Sequence, residues 1–179
     1  MSKVSGKTSN ATILIVVFFA IVCFSIVIYC FALPVGVRKT AEKYAEKYGL
    51  DGALVCAVIK AESGFDANAV SVKGACGLMQ ITPSTFEFVL KRYGLPVGDI
   101  FDPEDNIRAG CAYLRYLLDI FSTERETLCA YNAGEGTLRS WLDNERYSSD
   151  KKTLKKIPFK ETENYLKKIK FYYSLYKGI

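Results

Sequence analysis

Apolar residues recur along this chain in two patterns, and each predicts a different environment. From Ile13 to Leu33 they run almost unbroken, with Ser25 and Tyr29 as the polar interruptions. At the helical rise that stretch spans roughly 30 Å, the thickness of a bilayer's hydrocarbon core, and it predicts a transmembrane helix. A cleaved leader fits less well, because its apolar region runs only about 7 to 15 residues and no Ala-x-Ala site follows here. Cys30 is a poor lipidation site, since bulky Tyr29 stands where a small residue is needed.

Beyond Pro34 the spacing becomes helical. Arg38 to Tyr48 is charged, carries little apolar surface and predicts a stalk. Asp51 is the expected N-cap of a helix with Val55, Val58 and Ile59 on one face, ended by Ser63-Gly64. Residues 67–81 hold Gly74 and Gly77 and few helix signals, predicting an irregular loop or short β-hairpin. Thr82-Pro83 opens a helix through about Tyr93. Asp102-Pro103 opens the central core helix, with the stripe Ile107, Cys111, Leu114, Leu118 and Phe121. Thr123 to Glu126 is a capping box for a helix that carries Tyr131 and Asn132 and stops at Gly134. Helices are also expected over 137–142 and 160–176, the latter with Tyr165, Ile169, Tyr172 and Tyr176 on one side. Ser148 to Lys156 reads as a mobile surface loop. The organisation is then a tail (1–12), an anchor (13–33), a linker or stalk helix (34–48) and one compact, mainly α domain (49–179).

Composition narrows the chemistry. The 179 residues include no histidine, which removes Ser-His-Asp and Cys-His schemes and the commonest zinc ligand. No calcium-loop or phosphate-loop motif occurs, so neither a metal nor a nucleotide cofactor is expected. Carboxylates and tyrosines are left to carry any reaction. Only Lys3 and Lys7 precede residue 33, so the part beyond it holds 22 basic against 19 acidic residues and is mildly basic. The run Lys151, Lys152, Lys155 and Lys156 reads as a solvated loop that could also meet anionic wall polymers or lipid headgroups. With no aromatic residues interleaved to stack on bases, no nucleic-acid partner is expected. Cys56, Cys76, Cys111 and Cys129 sit in apolar segments and read as free buried thiols, although an even number outside the cell also permits disulfides.

Glu62 stands out against this background. Ile59, Val58 and Val55 lie three, four and seven residues before it, so its carboxylate shares the buried face of its helix. Desolvation there disfavours the charged form and raises the pKa, as a general acid requires. A buried glutamate held by an arginine or a helix end gives the same pattern on position alone. The accompanying motifs separate the two readings.

Those motifs are Glu62-Ser63, Ala69-Val70-Ser71, Gly74-Ala75-Cys76-Gly77-Leu78-Met79-Gln80-Ile81, Asn106-Ile107-Arg108-Ala109-Gly110, Ala130-Tyr131-Asn132-Ala133-Gly134 and Pro158 through Tyr165. Their identity and order resemble the SLT family of lytic transglycosylases, lysozyme-like enzymes that cut peptidoglycan glycan strands. The resemblance covers nearly the whole chain after residue 40. It implies a mainly α (α+β lysozyme-like) fold, with Glu62 as the single acid and base. Glu62 would protonate the bond between N-acetylmuramic acid and N-acetylglucosamine, then deprotonate the muramic C6 hydroxyl to close a 1,6-anhydro ring. It further implies that Ser71, Met79, Gln80, Tyr131, Asn132 and Tyr165 bind or position substrate, with Tyr165 bonded to Glu62 and Met79 as an apolar platform, although a methionine in Gly77-Leu78-Met79-Gln80 reads equally as core. Asp66 falls four residues after Glu62 but past the helix end, and reads as a turn-capping residue. The positive-inside rule does not choose an orientation between Lys3 and Lys7 on one flank and Arg38, Lys39 and Lys43 on the other. A glycan substrate would place the domain outside the cytoplasm on a single-pass anchor. Two rivals remain at this stage: a hydrolytic muramidase using the same Glu62, and a non-catalytic wall-binding scaffold of an envelope complex.

Overall fold

The computed structural model describes residues 10–31, 33–121 and 123–178, with the side chains of 10, 11 and 25–31 left aside. The chain divides into two units at Leu33 and Pro34. The first holds helix α1, Asn10–Phe31. Its described side chains cover 12–24, short of the roughly 20 apolar residues that a span needs, and among the described residues no helix is long and apolar enough to cross a membrane. The expected anchor over 13–33 therefore extends past the described side chains, and most of the expected tail lies outside the described residues.

The second unit begins with α2, Val35–Tyr48, which packs on α3 and α5 and buries Ala41, Tyr44, Ala45 and Tyr48. It is no free-standing stalk. Two alanines let the helix approach closely while two tyrosines fill the seam, which a count of its charges conceals. α3, Gly52–Ser63, starts where the Asp51 carboxylate accepts from the Ala53 and Leu54 N–H groups. Val55, Val58 and Ile59 are fully buried along it.

No strand forms among the described residues, and the expected hairpin reduces to isolated antiparallel bridges, Val70 with Cys76 and Cys76 with Ile81. Positive φ at Gly74, Gly77 and Gln80 interrupts any extended run. α4, Pro83–Tyr93, opens at Thr82, whose hydroxyl accepts from Thr85 N–H. α5, Pro103–Phe121, touches α2, α4 and α6 and buries Ile107, Cys111, Leu114 and Leu117. Gly110 lies where α5 meets Met79, and a Cβ there would come 2.3 Å from the Met79 sulfur.

α6, Glu124–Ala133, is capped at Thr123, and α7, Glu135–Asp143, follows directly after Gly134. The expected box is altered. The Glu126 carboxylate is buried, where it accepts from the Thr123 hydroxyl, from Arg125 and from Leu154 N–H. Arg125 also donates to the Leu154 carbonyl at 2.7 Å, and Leu154 enters the core beside Leu138 and Trp141. Asp150 caps its own turn by accepting from Lys152 N–H, Thr153 N–H and two hydroxyls. The segment 148–156 is thus pinned at both a side chain and a turn, and the expectation of a mobile loop is not met. α8, Lys160–Tyr176, closes the unit against α3 and α6, burying Tyr165, Ile169 and Tyr176. Cys56, Cys76, Cys111 and Cys129 are all free and buried.

Candidate active site

Glu62 lies in the last turn of α3, just before the chain turns away through Gly64 at φ 64° and Phe65 at φ 78°. A bulky residue in the left-handed region is strained. Phe65 is held there by the Lys60 ammonium, 5.0 Å from its ring, and by Tyr176. Ser63 secures the exit by bonding the Ile59 carbonyl and accepting from Phe65 N–H.

Burial pushes the Glu62 carboxyl up to about 7, opposed by hydrogen bonding toward Tyr165 and by the charge of Lys168. The Tyr165 hydroxyl is buried and makes no bond of ordinary geometry, although it stands near enough to the carboxyl to act on it. Burial, then the charge of Glu62, raises both Tyr131 and Tyr165 far above the usual phenol range, so both remain O–H donors. Glu62 is therefore a carboxylic acid with a protonated population at neutral pH, flanked by two neutral phenols. No carboxylate is among the groups acting on it. Asp66 is exposed and accepts from Asn68 N–H, the turn role its position suggests.

The Tyr131 hydroxyl donates to the Met79 carbonyl at 2.8 Å, joining α6 to the 76–80 loop. Met79 itself is fully buried against Gly110, so its side chain is core and offers no platform to a sugar. Ser71 is half-buried and accepts from Ala75 N–H, holding its own turn. Gln80 adopts φ 48° and spends its amide N–H groups on the Ala69 and Gly77 carbonyls. Its carbonyl oxygen and the Ser71 O–H remain as the groups able to meet a ligand. Asn132 accepts from the Thr162 hydroxyl at 2.8 Å, which leaves its amide N–H groups to donate.

Three contributors have no assigned role in the sequence reading. Asn106 is fully buried and accepts from Met79 N–H while donating to the Cys76 and Ile100 carbonyls. It bolts the loop to α5. Thr162 fixes Asn132, and Lys168 stands three residues after Tyr165 on α8. That last spacing is visible in the sequence, since positions three apart share a helix face. A cavity of about 520 Å³, lined by Phe121, Arg139, Asp143, Lys151 and Lys152 among others, contains none of the expected site residues. Among the described residues no group of acidic and cysteine side chains is arranged to hold a metal ion.

A helical unit with one desolvated glutamate between two phenols defines a class of site, and comparison with known proteins places it. The family model for the transglycosylase SLT domain matches residues 39–154, and the chain belongs to that family. Soluble lytic murein transglycosylase of Escherichia coli strain K12 is 33% identical over 150 residues, covering 80% of this chain and 23% of that protein. Membrane-bound lytic murein transglycosylase C of Photorhabdus laumondii is 38% identical over 145 residues, covering 70% of this chain and 39% of the relative. Among solved structures, an inactive glutamate-to-glutamine mutant of lytic transglycosylase Slt from Pseudomonas aeruginosa superposes with a TM-score of 0.70 at 33% identity, covering 80% and 24% of the two chains. The 70 kDa soluble lytic transglycosylase bound to bulgecin A matches with a TM-score of 0.71 at 30% identity, covering 82% of this chain and 24% of that one. The chain spans about a quarter of the length of the soluble relatives.

Proposed function

We propose that the chain is a peptidoglycan lytic transglycosylase in which Glu62 serves as both acid and base. The supporting observation is the Glu62 carboxyl, whose pKa burial raises to about 7 beside the Tyr165 and Tyr131 phenols. Protonated Glu62 gives its proton to the glycosidic oxygen as the bond to muramic C1 breaks, and the muramic N-acetyl group assists that departure. The Glu62 carboxylate then takes the C6 hydroxyl proton, and O6 bonds to C1 of the same sugar. No water is consumed, and the acid returns to its starting state. An inactive relative carrying glutamine for glutamate is consistent with such a role. In this reading Ser71, Gln80, Tyr131, Asn132 and Tyr165 position the substrate, with Met79 contributing through its backbone.

Digestion of murein sacculi followed by mass spectrometry tests this. The expected fragments end in 1,6-anhydromuramic acid. Fragments one water heavier would make the chain a muramidase, and intact sacculi would leave only a binding scaffold.

The same reading tethers the site to a membrane through α1, with the domain on the wall side. It rests on the unbroken apolar sequence of 13–33 and on the exposure of Ile13, Leu14, Phe18, Phe19, Ile21 and Phe24. The full chain is expected to stay with membranes in alkaline carbonate, and release into the supernatant would exclude the tether.

A further inference from the structure

The cavity of about 520 Å³ that the reaction leaves unused lies at the opposite end of α6 from the Glu62 site. Thr123, which caps α6, lines it, whereas Tyr131 stands eight residues further, roughly 12 Å along the helix. The volume falls in the range of about 300 to 1,000 Å³ in which small ligands bind. Part of the wall is apolar, with Phe121 and Leu142 buried and Ile120 half-buried.

Charges of both signs complete the wall, and the fold holds them in place. The Arg139 guanidinium lies 5.4 Å from the Phe121 ring centre and is fixed by two bonds to Glu135, which take two of its five donors. Lys151 adopts φ 55°, a strained backbone for a residue with a Cβ. It is kept there by Asp150, which accepts from the Lys152 and Thr153 N–H groups and from the Ser148 and Thr153 hydroxyls. The Asp150 carboxylate is thereby engaged within its own turn. Lys151 meets Asp143 only at 4.0 Å, with the two side chains 74% and 72% exposed, and Lys152 is exposed beside them.

Three cations, one loosely paired carboxylate and an apolar wall therefore face one volume. A phosphate polymer would leave Asp143 and the apolar wall unmatched, and a neutral sugar would leave the cations unmatched. A short peptide with free carboxylates, an ammonium group and small apolar side chains matches all three. We propose that this cavity is a second binding site, for the stem peptide of peptidoglycan. Its carboxylates meet Lys151, Lys152 and Arg139, its side-chain ammonium meets Asp143, and its alanyl methyls lie on Ile120 and Leu142. This rests on the reading of the chain as a peptidoglycan enzyme. Because the cavity stands apart from Glu62, the peptide held there retains the protein on the wall without entering the cleavage step.

Titration of the full chain with a sugar-free tetrapeptide, L-alanyl-γ-D-glutamyl-diaminopimelyl-D-alanine, tests the site by calorimetry and methyl NMR. Saturable binding is expected, with the Ile120 and Leu142 methyls shifted and the Met79 methyl, in the loop beside the Glu62 site, unmoved. Lys151→Asn combined with Lys152→Glu keeps a residue that tolerates the left-handed backbone and removes two cations. That variant should melt like the parent and bind the peptide about tenfold more weakly. Amidating the peptide carboxylates should weaken binding to the parent by a similar factor. No saturation at millimolar peptide, shifts confined to Met79, or an affinity indifferent to both changes would overturn the site. Peptide binding by a chain that leaves sacculi intact would instead remove the enzymatic reading alone, and cleavage of sacculi without peptide binding would remove this site alone.

Discussion

Glu62→Gln is expected to stop glycan release by the full chain, lowering turnover by about 10²- to 10⁴-fold, the usual worth of a positioned acid. Glutamine keeps the shape and the hydrogen-bonding capacity of the protonated acid but cannot deliver or recover a proton. Binding of glycan oligomers should therefore persist. A variant that still cut sacculi at the parent rate would remove Glu62 from the chemistry.

The same substitution should stabilise the fold, and the pH dependence of that gain identifies its cause. Folding raises the Glu62 carboxyl from the usual 4.5 to about 7, mainly through burial. The native state therefore holds this proton more tightly than the unfolded chain. That advantage is fully present below about pH 4.5 and is lost as pH rises through about 7. Glutamine does not titrate, so parent and variant should melt alike near pH 4. By pH 8 the variant should be more stable by on the order of 3 kcal/mol. Thermal midpoints across that range read the effect directly. An equal gain at both ends would point to a packing change rather than to relief of a desolvated charge.

Local signals in the sequence are realised faithfully. Asp51, Thr82 and Thr123 cap the helices they precede, and the face of α3 that carries Val55, Val58 and Ile59 is buried. Each depends on residues within one or two turns, which spacing alone encodes. What spacing could not encode was the partner from elsewhere in the chain. Met79 stands in a motif that reads equally as platform or core, and it is the missing side chain at Gly110, 31 positions later, that opens a place for it in the core. The 148–156 segment looks like a solvated run of lysines, yet Arg125 and Glu126 on α6 grip the backbone at Leu154. α2 looks like a charged stalk because its apolar seam consists of alanines and tyrosines. Asn106 was visible as part of a motif, but its task is to close two hydrogen bonds with a loop 27 and 30 residues back and one with the turn just before its own helix.

Asn106→Ala carries the largest structural effect expected. Its side chain accepts from Met79 N–H at 2.8 Å and donates to the Cys76 and Ile100 carbonyls at 3.0 and 2.7 Å. Truncation strips Met79 N–H and the Ile100 carbonyl of these partners in a region from which water is excluded, leaves the Cys76 carbonyl with Ile81 N–H alone, and opens a void. The summed loss is about 3 to 5 kcal/mol, equivalent to roughly 10 to 15 °C in thermal midpoint. Asn106→Asp is the sharper version. It keeps an acceptor for Met79 N–H but turns a carboxylate toward two carbonyl oxygens, so it should destabilise at least as much as alanine despite its matching shape. The consequence for the site follows from what the loop carries. Gly77 has φ 73° and lies so close to Asn106 that a Cβ would come 2.3 Å from its amide nitrogen, so loop and side chain fit as one unit. Once unbolted, that loop no longer fixes Gln80 or the Met79 carbonyl that receives Tyr131. Below its lowered midpoint, Asn106→Ala should thus retain the raised pKa of Glu62, which burial sets, and still lose glycan release. A variant that melts like the parent, or one that cuts at the parent rate while destabilised, would show that the 76–80 loop is held by other contacts.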